Sequence, residues 1–564
     1  MHHLTTPSAA AAWLQARGVR ALRTDHRLVR PGDAFLAWPG RRQDARLHAS
    51  AALAAGAAAC LVEAQGVDLP SQDERLASLA DLKRLSGEVA SAFLGHPSQR
   101  LDVVAVTGTN GKTSCTWWVA QALTACGRRC GVVGTLGIGD PFAPVAHGAV
   151  APAPGAAFES TGLTTPDAVA LQAAFGRFAD EGLSACAIEA SSIGIVEHRL
   201  AGTALSVAAF TNLTQDHLDY HGTMAAYGAA KRALFDMPGL KAAVIHTGDA
   251  QGRAWAAELA LRPGLDLWTV SLDRAHLLGH SLFADNVRQG ADGWELVLCE
   301  RAPAGQAVVG HPVRTALVGA FNLENLLVVA GCLRALGVSL EETARALGTL
   351  TAVPGRLQRV PAAGAAEQPA VVVDYAHTPD ALAKALQALQ PLTHARGGQL
   401  WCVFGCGGDR DAAKRPLMGR VAVQGAAHVV VTSDNPRSEP PGRIVDQVLA
   451  GAREAAARTT AGAAPEAVRG AELGAAMGAA KEASKGAAVP PSLIAIEDRR
   501  AAIRHAVQAA APTDVILLAG KGHEQTQEIA GVKHRFCDVA EAQAALALRS
   551  AQRQASTVIG ETRS

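Results

Sequence analysis

The stretch Leu101-Asp102-Val103-Val104-Ala105-Val106-Thr107-Gly108-Thr109-Asn110-Gly111-Lys112-Thr113-Ser114 decides the fold. Its first half is a short run rich in β-branched residues, which reads as a buried parallel strand. Its second half is a Gly-rich turn, after which an amphipathic helix is predicted from about Thr113 to Cys126. Strand, turn and helix in that order make a phosphate cradle. Glycines let backbone N–H groups face an anion, and the helix N-terminus adds partial positive charge. In the usual pattern, Gly-x-x-x-x-Gly-Lys-Thr, the lysine meets the β- and γ-phosphates and the threonine meets Mg2+. Here Gly108 and Gly111 are three apart rather than five, and Lys112 and Thr113 take those roles. A turn that binds nothing is the competing reading, but Gly-Lys-Thr between strand and helix is costly as mere punctuation.

Outward from this stretch the chain alternates short apolar runs with helical segments. Ala185-Cys186-Ala187-Ile188-Glu189, Ser206-Val207-Ala208-Ala209-Phe210 and Ala242-Ala243-Val244-Ile245 read as further buried strands. This is the rhythm of a doubly wound sheet. Upstream, Ala34-Phe35-Leu36-Ala37-Trp38 and Ala58-Ala59-Cys60-Leu61-Val62 read as strands of a small α/β unit. Downstream, a third unit starts near Val353-Pro354-Gly355. Its strands are Ala370-Val371-Val372-Val373-Asp374, Leu400-Trp401-Cys402-Val403-Phe404, Val429-Val430-Val431-Thr432 and Val515-Ile516-Leu517-Leu518-Ala519. Two stretches read as insertions: 140–160 as a mobile loop, and the Ala/Gly-rich 452–491 as helix plus flexible linker with little chemistry.

The bulk composition fits this organisation. At about 150 residues per domain, 564 residues make three to four domains. Hydrophobic residues at 49% and charged ones at 18% are ordinary for a soluble globular protein. A net charge of +1 offers no field for a polyanion, so nucleic acid is not an expected partner. No apolar run is long enough to span a bilayer, and the N-terminus lacks the pattern of a signal peptide. The ten cysteines are scattered without metal-binding spacing and read as reduced thiols in a cytoplasm.

Two strand ends carry candidate ligands. Ile188-Glu189-Ala190-Ser191-Ser192 places a carboxylate at the C-terminal edge of a strand, the edge that faces ligands in an open α/β sheet. Phe210-Thr211-Asn212-Leu213-Thr214-Gln215-Asp216-His217-Leu218-Asp219 adds a histidine and two aspartates. A hard cation shared with phosphates takes such oxygen ligands. Read alone, Glu189 is equally a helix-capping carboxylate, His217 a loop histidine and Lys231 a solvated helix lysine.

The run Thr107-Gly108-Thr109-Asn110-Gly111-Lys112-Thr113, with its shortened spacing, resembles the superfamily of Mur ligases and folylpolyglutamate synthases. These phosphorylate a carboxylate with ATP, and an amine then attacks the acyl phosphate. The stretch from Asn212 to Gly222, followed by Tyr227 and Lys231, is similar to the Mur ligase signature. The resemblance implies a carbamate on Lys231 and Mg2+ ligands at Thr113, Glu189, His217 and Lys231. It implies ATP contacts at Gly108, Thr109, Asn110, Gly111, Lys112, Thr113 and Ser114. Gly319-Ala320-Phe321-Asn322-Leu323-Glu324-Asn325 matches the element near the adenine, through Asn322 and Asn325. Pro354-Gly355-Arg356 supplies a phosphate contact, Arg356, and Asp374 and His377 of Asp374-Tyr375-Ala376-His377 line the nucleotide.

The same resemblance implies substrates. Segments around Thr24-Asp25-His26-Arg27 and Arg41-Arg42-Gln43 resemble UDP-binding segments, giving Asp25, His26, Arg41, Arg42 and Gln43 as contacts. His26 stands where Ser is usual, and Ala45 where Gly is usual. Thr164, Thr165, Ser191, Glu197 and Arg199 match positions that hold the muramoyl-peptide, with Ile193 in place of the common His and Glu197 in place of Gln. Phe404-Gly405-Cys406-Gly407-Gly408-Asp409-Arg410, Asp434-Asn435-Pro436-Arg437 and Gly520-Lys521-Gly522-His523-Glu524 match the amine site. Asp-Asn-Pro-Arg is the signature for meso-diaminopimelate, so Arg410, Asp434, Asn435, Pro436, Arg437, Gly520 and Glu524 are its expected contacts. The expected activity is addition of meso-diaminopimelate to the D-Glu γ-carboxylate of UDP-MurNAc-L-Ala-D-Glu by a cytoplasmic monomer.

The expected fold is α/β in three domains. Residues 1–97 form a small N-terminal α/β domain that binds UDP. Residues 98–353 form a central P-loop domain on a doubly wound, mostly parallel sheet. Residues 354–564 form a Rossmann-like C-terminal domain that binds the amino acid. A P-loop switch that hydrolyses ATP only to change shape is the alternative of another class, but it has no use for Lys231 or for 434–437.

Overall fold

The computed structural model describes residues 2–40, 43–66, 73–142, 158–159, 161–290, 293–302, 307–362, 368–460 and 491–561. The chain divides into two compact units. The first is Met1–Arg288, Trp294–Ala316 and Phe321–Thr351, and the second is Gln289–Gly293, Leu317–Ala320 and Ala352–Ser564. The fold is α/β throughout, and each principal sheet has its own core.

In the first unit a parallel five-stranded sheet has the order His2–Leu4, Leu76–Leu79, Ala59–Glu63, Ala34–Ala37, Leu22–Arg23. Alternate residues face opposite cores. Ala34 and Leu36 pack with Trp13, Leu14 and Val89, whereas Phe35 and Ala37 pack with Ala49 and Ala52. Burial on both faces explains why these strands read as continuous apolar runs.

The first unit also holds the ten-stranded sheet that carries the phosphate loop. Its parallel part has the order His280–Gly290, Asp266–Val270, Ala242–His246, Val207–Phe210, Asp102–Thr107, Ala185–Glu189, Cys130–Gly134. Antiparallel pairs extend it: Gly293–Arg301 with Val309–Thr315, and Cys130–Gly134 with Gly137–Gly139. Helices Ala168–Asp180 and Ala250–Leu259 bury Leu171, Phe175, Phe178 and Trp255 against one face. Helices Lys112–Ala125 and Phe321–Ala335 cover the other. Each fully buried side chain of this size contributes about 1.5–3 kcal/mol.

Lys112–Ala125 is not amphipathic as expected. Cys115 to Ala120, Ala122 and Leu123 are buried, because the helix packs on the sheet and also on the helices Phe321–Ala335 and Leu340–Gly348. Trp118 still satisfies its indole N–H, which donates to the Thr351 carbonyl at 2.8 Å.

The second unit centres on a six-stranded sheet, in the order Gln358–Arg359, Ala370–Asp374, Val515–Ala519, Leu400–Phe404, His428–Val431, Ser492–Ala495. All but the first strand run parallel. Val372, Cys402, Val431 and Leu517 face one core, and Val373, Val403, Val430 and Ile516 the other.

The helix expected in the Ala/Gly-rich stretch is present, but it belongs to the core rather than to an insertion. Residues 452–460 end a regular helix, Pro441–Thr460, whose Val448, Leu449, Ala452 and Ala455 are core residues. Small side chains are what let it pack closely on Lys414–Gly425. A Cβ on Gly451 would meet the Pro416 carbonyl oxygen at 2.0 Å, and one on Gly419 the Val448 carbonyl oxygen at 2.1 Å. The remainder of the expected linker, 461–490, lies outside the described residues, as does most of 140–160.

Candidate active site

The phosphate loop leaves the Asp102–Thr107 strand at Gly108, with φ +148°, and enters its helix through Gly111, with φ +85°. Both positions need glycine. A Cβ on Gly108 would lie 1.9 Å from Thr211 Oγ1, and one on Gly111 would lie 2.4 Å from Asn325 Oδ1. Asn325 is buried against the turn and donates to Asn322 Oδ1 at 3.0 Å, so this asparagine pair stands beside the loop. The turn is pinned from the neighbouring strand end. Asn110 N donates to Asn212 Oδ1 at 2.9 Å, and Thr211 Oγ1 donates to the Asn110 carbonyl at 2.6 Å. Lys112 Nζ folds over the turn and donates to the Gly108 and Thr109 carbonyls, each at 2.8 Å. Ser114 lies in the first turn of the helix.

Next to the loop, Thr113 Oγ1 donates to Glu189 Oε2 at 2.9 Å. Glu189 is 2% exposed and ends its strand, as expected. Thr135, which sequence reasoning missed, holds it in place. Its N–H donates to Glu189 Oε1 at 2.8 Å, and its hydroxyl lies 3.2 Å from both Glu189 Oε2, to which it donates, and Thr164 Oγ1. A Cβ on Gly134 would lie 2.3 Å from Glu189 Oε1. A buried carboxylate beside a threonine hydroxyl at a phosphate loop is a fit donor set for Mg2+, which takes one or two carboxylates and leaves other positions to phosphate and water. Among the described residues no three His, Cys, Asp or Glu side chains converge as an all-protein metal cage.

Lys231 overturns its solvated reading. It is 1% exposed, and its Nζ donates to the Gly108 carbonyl at 2.7 Å and lies 4.4 Å from the Tyr227 ring centroid. Thr223 caps the helix Met224–Arg232, and the i, i+4 spacing puts Tyr227 and Lys231 on one buried face. Burial first, then the charge of Lys112, push the Lys231 ammonium down to about 6, while Asp216 works in the opposite sense. Burial here favours the uncharged amine over the ammonium. Tyr227 links it to the turn, its hydroxyl lying 3.2 Å from Thr109 Oγ1. His217 stands just before the short helix Leu218–His221. It has φ +51°, its side chain is 44% exposed beside Asp216, and its ring centroid is 6.2 Å from that of Tyr227.

Other expected substrate contacts cluster at the same strand edge. Thr165 Oγ1 donates to the Glu189 carbonyl at 2.7 Å and sits 3.0 Å from Ser191 Oγ, which caps the helix Ser192–Val196. Arg199 Nη1 donates to the Thr165 carbonyl at 2.9 Å. Glu197 is paired with Lys83 and accepts from the Tyr220 hydroxyl at 2.5 Å. In the five-stranded region Asp25 is held by Arg27, whose side-chain hydrogen bonds lower its carboxyl to about 2. His26 stacks on His48 at 4.0 Å, and Gln43 is exposed. Arg41 and Arg42 lie outside the described residues.

In the second unit the remaining expected residues gather at the C-terminal edge of the six-stranded sheet. Gly355, with φ +69°, packs on the Gly520–Glu524 turn, where a Cβ would meet His523 N at 2.2 Å. Arg356 lies 5.0 Å over the Tyr375 ring, and its buried Nε meets no hydrogen-bond partner among the described residues. Asp374 accepts from Leu357 N and Ala376 N, each at 2.8 Å, but burial still raises its carboxyl. His377 is exposed, with Nδ1 2.8 Å from the Tyr375 carbonyl oxygen.

Beside them, Asn435 Nδ2 donates to Glu524 Oε2 at 2.8 Å. Asp434 is 7% exposed, and burial raises its carboxyl against the pull of Arg499 and Lys521. Pro436 is buried. Gly520, with φ +113°, leaves room beside Asp434 Oδ2. Arg437, with φ +53°, donates from Nη1 to the Gly408 carbonyl at 2.7 Å. Arg437 Nη1 and Arg410 Cγ lie 3.0 and 3.8 Å from where a Cβ on Gly407 would stand, so both arginines flank that glycine. The hairpin Thr526–Ile529 and Val532–Arg535, not foreseen from sequence, secures this turn. Gln527 Nε2 donates to the Asp434 carbonyl at 2.7 Å, and Arg437 N donates to the Glu528 carbonyl at 3.0 Å. Buried Arg415 was also missed as an organiser. It donates to Glu439 and to the Gly407 carbonyl.

Comparison with known proteins agrees with this geometry. Residues 106–333 match the family model described as Mur ligase middle domain, and residues 355–474 match Mur ligase, glutamate ligase domain. The UDP-N-acetylmuramoyl-L-alanyl-D-glutamate–2,6-diaminopimelate ligase of Acidovorax sp. (strain JS42) is 48% identical over 97% of this chain and 99% of its own. That of Janthinobacterium sp. (strain Marseille) is 42% identical over 98% of this chain and 99% of its own. A solved structure of a ligase of the same name superposes with a TM-score of 0.62 at 32% identity, over 94% of this chain and 95% of its own. By its sequence and by its fold, this chain belongs to the Mur ligase family.

Proposed function

We propose that this Mur ligase joins meso-diaminopimelate to the D-Glu γ-carboxylate of UDP-MurNAc-L-Ala-D-Glu in peptidoglycan synthesis, consuming ATP in the presence of Mg2+. The observation that carries this reading is the burial of Lys231 on the phosphate loop, 2.7 Å from the Gly108 carbonyl oxygen. A protein that merely hydrolyses nucleotide has no need of an uncharged lysine there. The names of relatives covering nearly the whole chain support the same substrates.

The chemistry follows from the residues. Backbone N–H groups of 108–114 cradle the phosphates, and Lys112 turns from the loop carbonyls toward the β/γ-phosphate charge. Thr113, Glu189, His217 and Lys231 would hold Mg2+. The neutral Lys231 amine adds to CO2, forming an N–C bond and releasing a proton, and so becomes an oxygen donor. Magnesium, when bound, screens the γ-phosphate from the approaching carboxylate, which otherwise repels it. The D-Glu carboxylate attacks the γ-phosphorus as the bond to ADP breaks. The amine then attacks the acyl phosphate, and phosphate leaves as the amide forms.

Asn322, Asn325, Arg356, Asp374 and His377 are assigned to the nucleotide. Asp25, His26, Arg41, Arg42 and Gln43 are assigned to UDP, and Thr164, Thr165, Ser191, Glu197 and Arg199 to the muramoyl-peptide. Arg410, Asp434, Asn435, Pro436, Arg437, Gly520 and Glu524 are assigned to diaminopimelate. The functional domains are 1–97, 98–353 and 354–564. No helix among the described residues is long and apolar enough to cross a membrane, and a cytoplasmic monomer accords with these soluble substrates. Purified enzyme offered UDP-MurNAc-L-Ala-D-Glu, ATP-Mg2+ and a panel of amino acids tests the reading. Product of the added mass should form with meso-diaminopimelate, and its absence would refute the assignment.

A further inference from the structure

Lys521 is completely buried, a rare place for a lysine. Its ammonium lies 2.9 Å from Glu524 Oε2, 3.2 Å from Asn435 Oδ1 and 3.7 Å from Asp434 Oδ1. Asn435 Oδ1 also accepts from Glu528 N at 3.0 Å. Two donors on that oxygen leave the amide one orientation, with Nδ2 toward Glu524. Lysine, asparagine and glutamate thus close a three-membered ring of hydrogen bonds. Glu524 keeps a third of its side chain open. None of the roles proposed above uses Lys521.

We infer that Lys521 is a positioning residue for the amino-acid substrate: it keeps Glu524 ionised and aimed at the substrate's distal ammonium, and fixes the Asn435 amide to match. This rests on the amine-site reading above.

The charges around Glu524 support that role. Burial pushes its carboxyl up, but Lys521, Asn435 and His523 outweigh burial and hold it below the usual range. Asp434 and Tyr375 face the same region. Arg499 acts on both carboxylates as well, but its guanidinium is engaged by Asp538 at 2.6 and 2.8 Å. Lys521 is the cation in direct contact with both, 2.9 Å from Glu524 Oε2 and 3.7 Å from Asp434 Oδ1. Without it the two carboxylates face each other in a poorly solvated place, and protonation of one relieves the repulsion.

The test uses the full-length enzyme, with kcat/KM for meso-diaminopimelate followed against pH in wild type, Lys521→Met and Lys521→Arg. In Lys521→Met the acid limb should move up by about one pH unit or more, since an ionised base is required and its pKa rises. KM for diaminopimelate should rise about tenfold at neutral pH, while KM for ATP stays within about twofold, as expected when only amino-acid binding is lost. Lys521→Arg should keep the wild-type limb. Glu524→Gln covers the case in which Lys521→Met does not fold, because it removes the stranded charge, and adding Lys521→Met to it should cost little more. An unmoved acid limb in folded Lys521→Met, an equal rise in KM for ATP, or full additivity with Glu524→Gln overturns the inference alone. Wild type that does not turn over meso-diaminopimelate overturns the amine-site reading and this inference with it.

Discussion

Lys231 Nζ donates to the Gly108 carbonyl at 2.7 Å, across 123 residues of sequence. The same oxygen accepts from Lys112 at 2.8 Å. Two lysines thus meet at the first residue of the phosphate loop. Burial, and then the charge of Lys112, lower the proton affinity of Lys231 and favour its uncharged amine.

Lys112→Ala should abolish ATP-dependent phosphate release, a loss on the order of 10²-fold or more for removing a charge aimed at the transferred phosphoryl group. Thermal melting should stay near wild type, since Lys112 is half-buried and outside the core. Turnover close to wild type would remove the lysine from the phosphate site.

Lys231→Ala should be inactive and partly rescued by formate or acetate, which can fill the vacated ligand position with carboxylate oxygens. Methylammonium should not rescue. Rescue by the amine and not by the carboxylates would show that Lys231 works as a cation.

The phosphate loop was legible because its signal is local. A β-branched strand, two glycines and Lys-Thr lie within one stretch, and Glu189 ends a strand whose apolar run announces it. Lys231 was not legible from its surroundings. The i, i+4 spacing with Tyr227 was present, but only the tertiary approach of that helix to Gly108 buries it. Thr135 was missed because it lies 54 residues from its partner Glu189 and follows an unremarkable Gly134. The strand His280–Gly290 was missed because its buried run, Ser281–Ala284, is short and gives way to exposed polar residues, and Val309–Thr315 because only Val313 and Thr315 are buried. The helix at 452–460 was legible, but its place in the core was not, because alanine and glycine can signal either a linker or close helix packing.

The Glu197 departure from the usual Gln has a structural counterpart in Lys83, which pairs with it. Lys83→Met should raise KM for UDP-MurNAc-L-Ala-D-Glu roughly two- to fivefold, the scale of about 0.5–1 kcal/mol for a partly exposed pair. The acid it leaves uncompensated repels an anionic substrate. Adding Glu197→Gln should restore KM. A double variant no better than Lys83→Met would show that the pair has no such compensating role.

Arg437→Lys or Arg437→Ala should lower kcat/KM for meso-diaminopimelate by about two to three decades, because a bound carboxylate loses its planar partner. KM for ATP should change little. If wild type ligates L-lysine, which lacks the second carboxylate, as efficiently as meso-diaminopimelate, the assignment of Arg437 and Arg410 to that carboxylate fails.

The most direct test of the ligase account is phosphate release by the purified wild-type chain under single omissions. With ATP-Mg2+, UDP-MurNAc-L-Ala-D-Glu and meso-diaminopimelate all present, sustained release should match amide formation one for one. Leaving out either the muropeptide or the amine should reduce sustained release to background. Release that continues at the full rate without the amine would contradict the account and mark the chain as a nucleotide hydrolase.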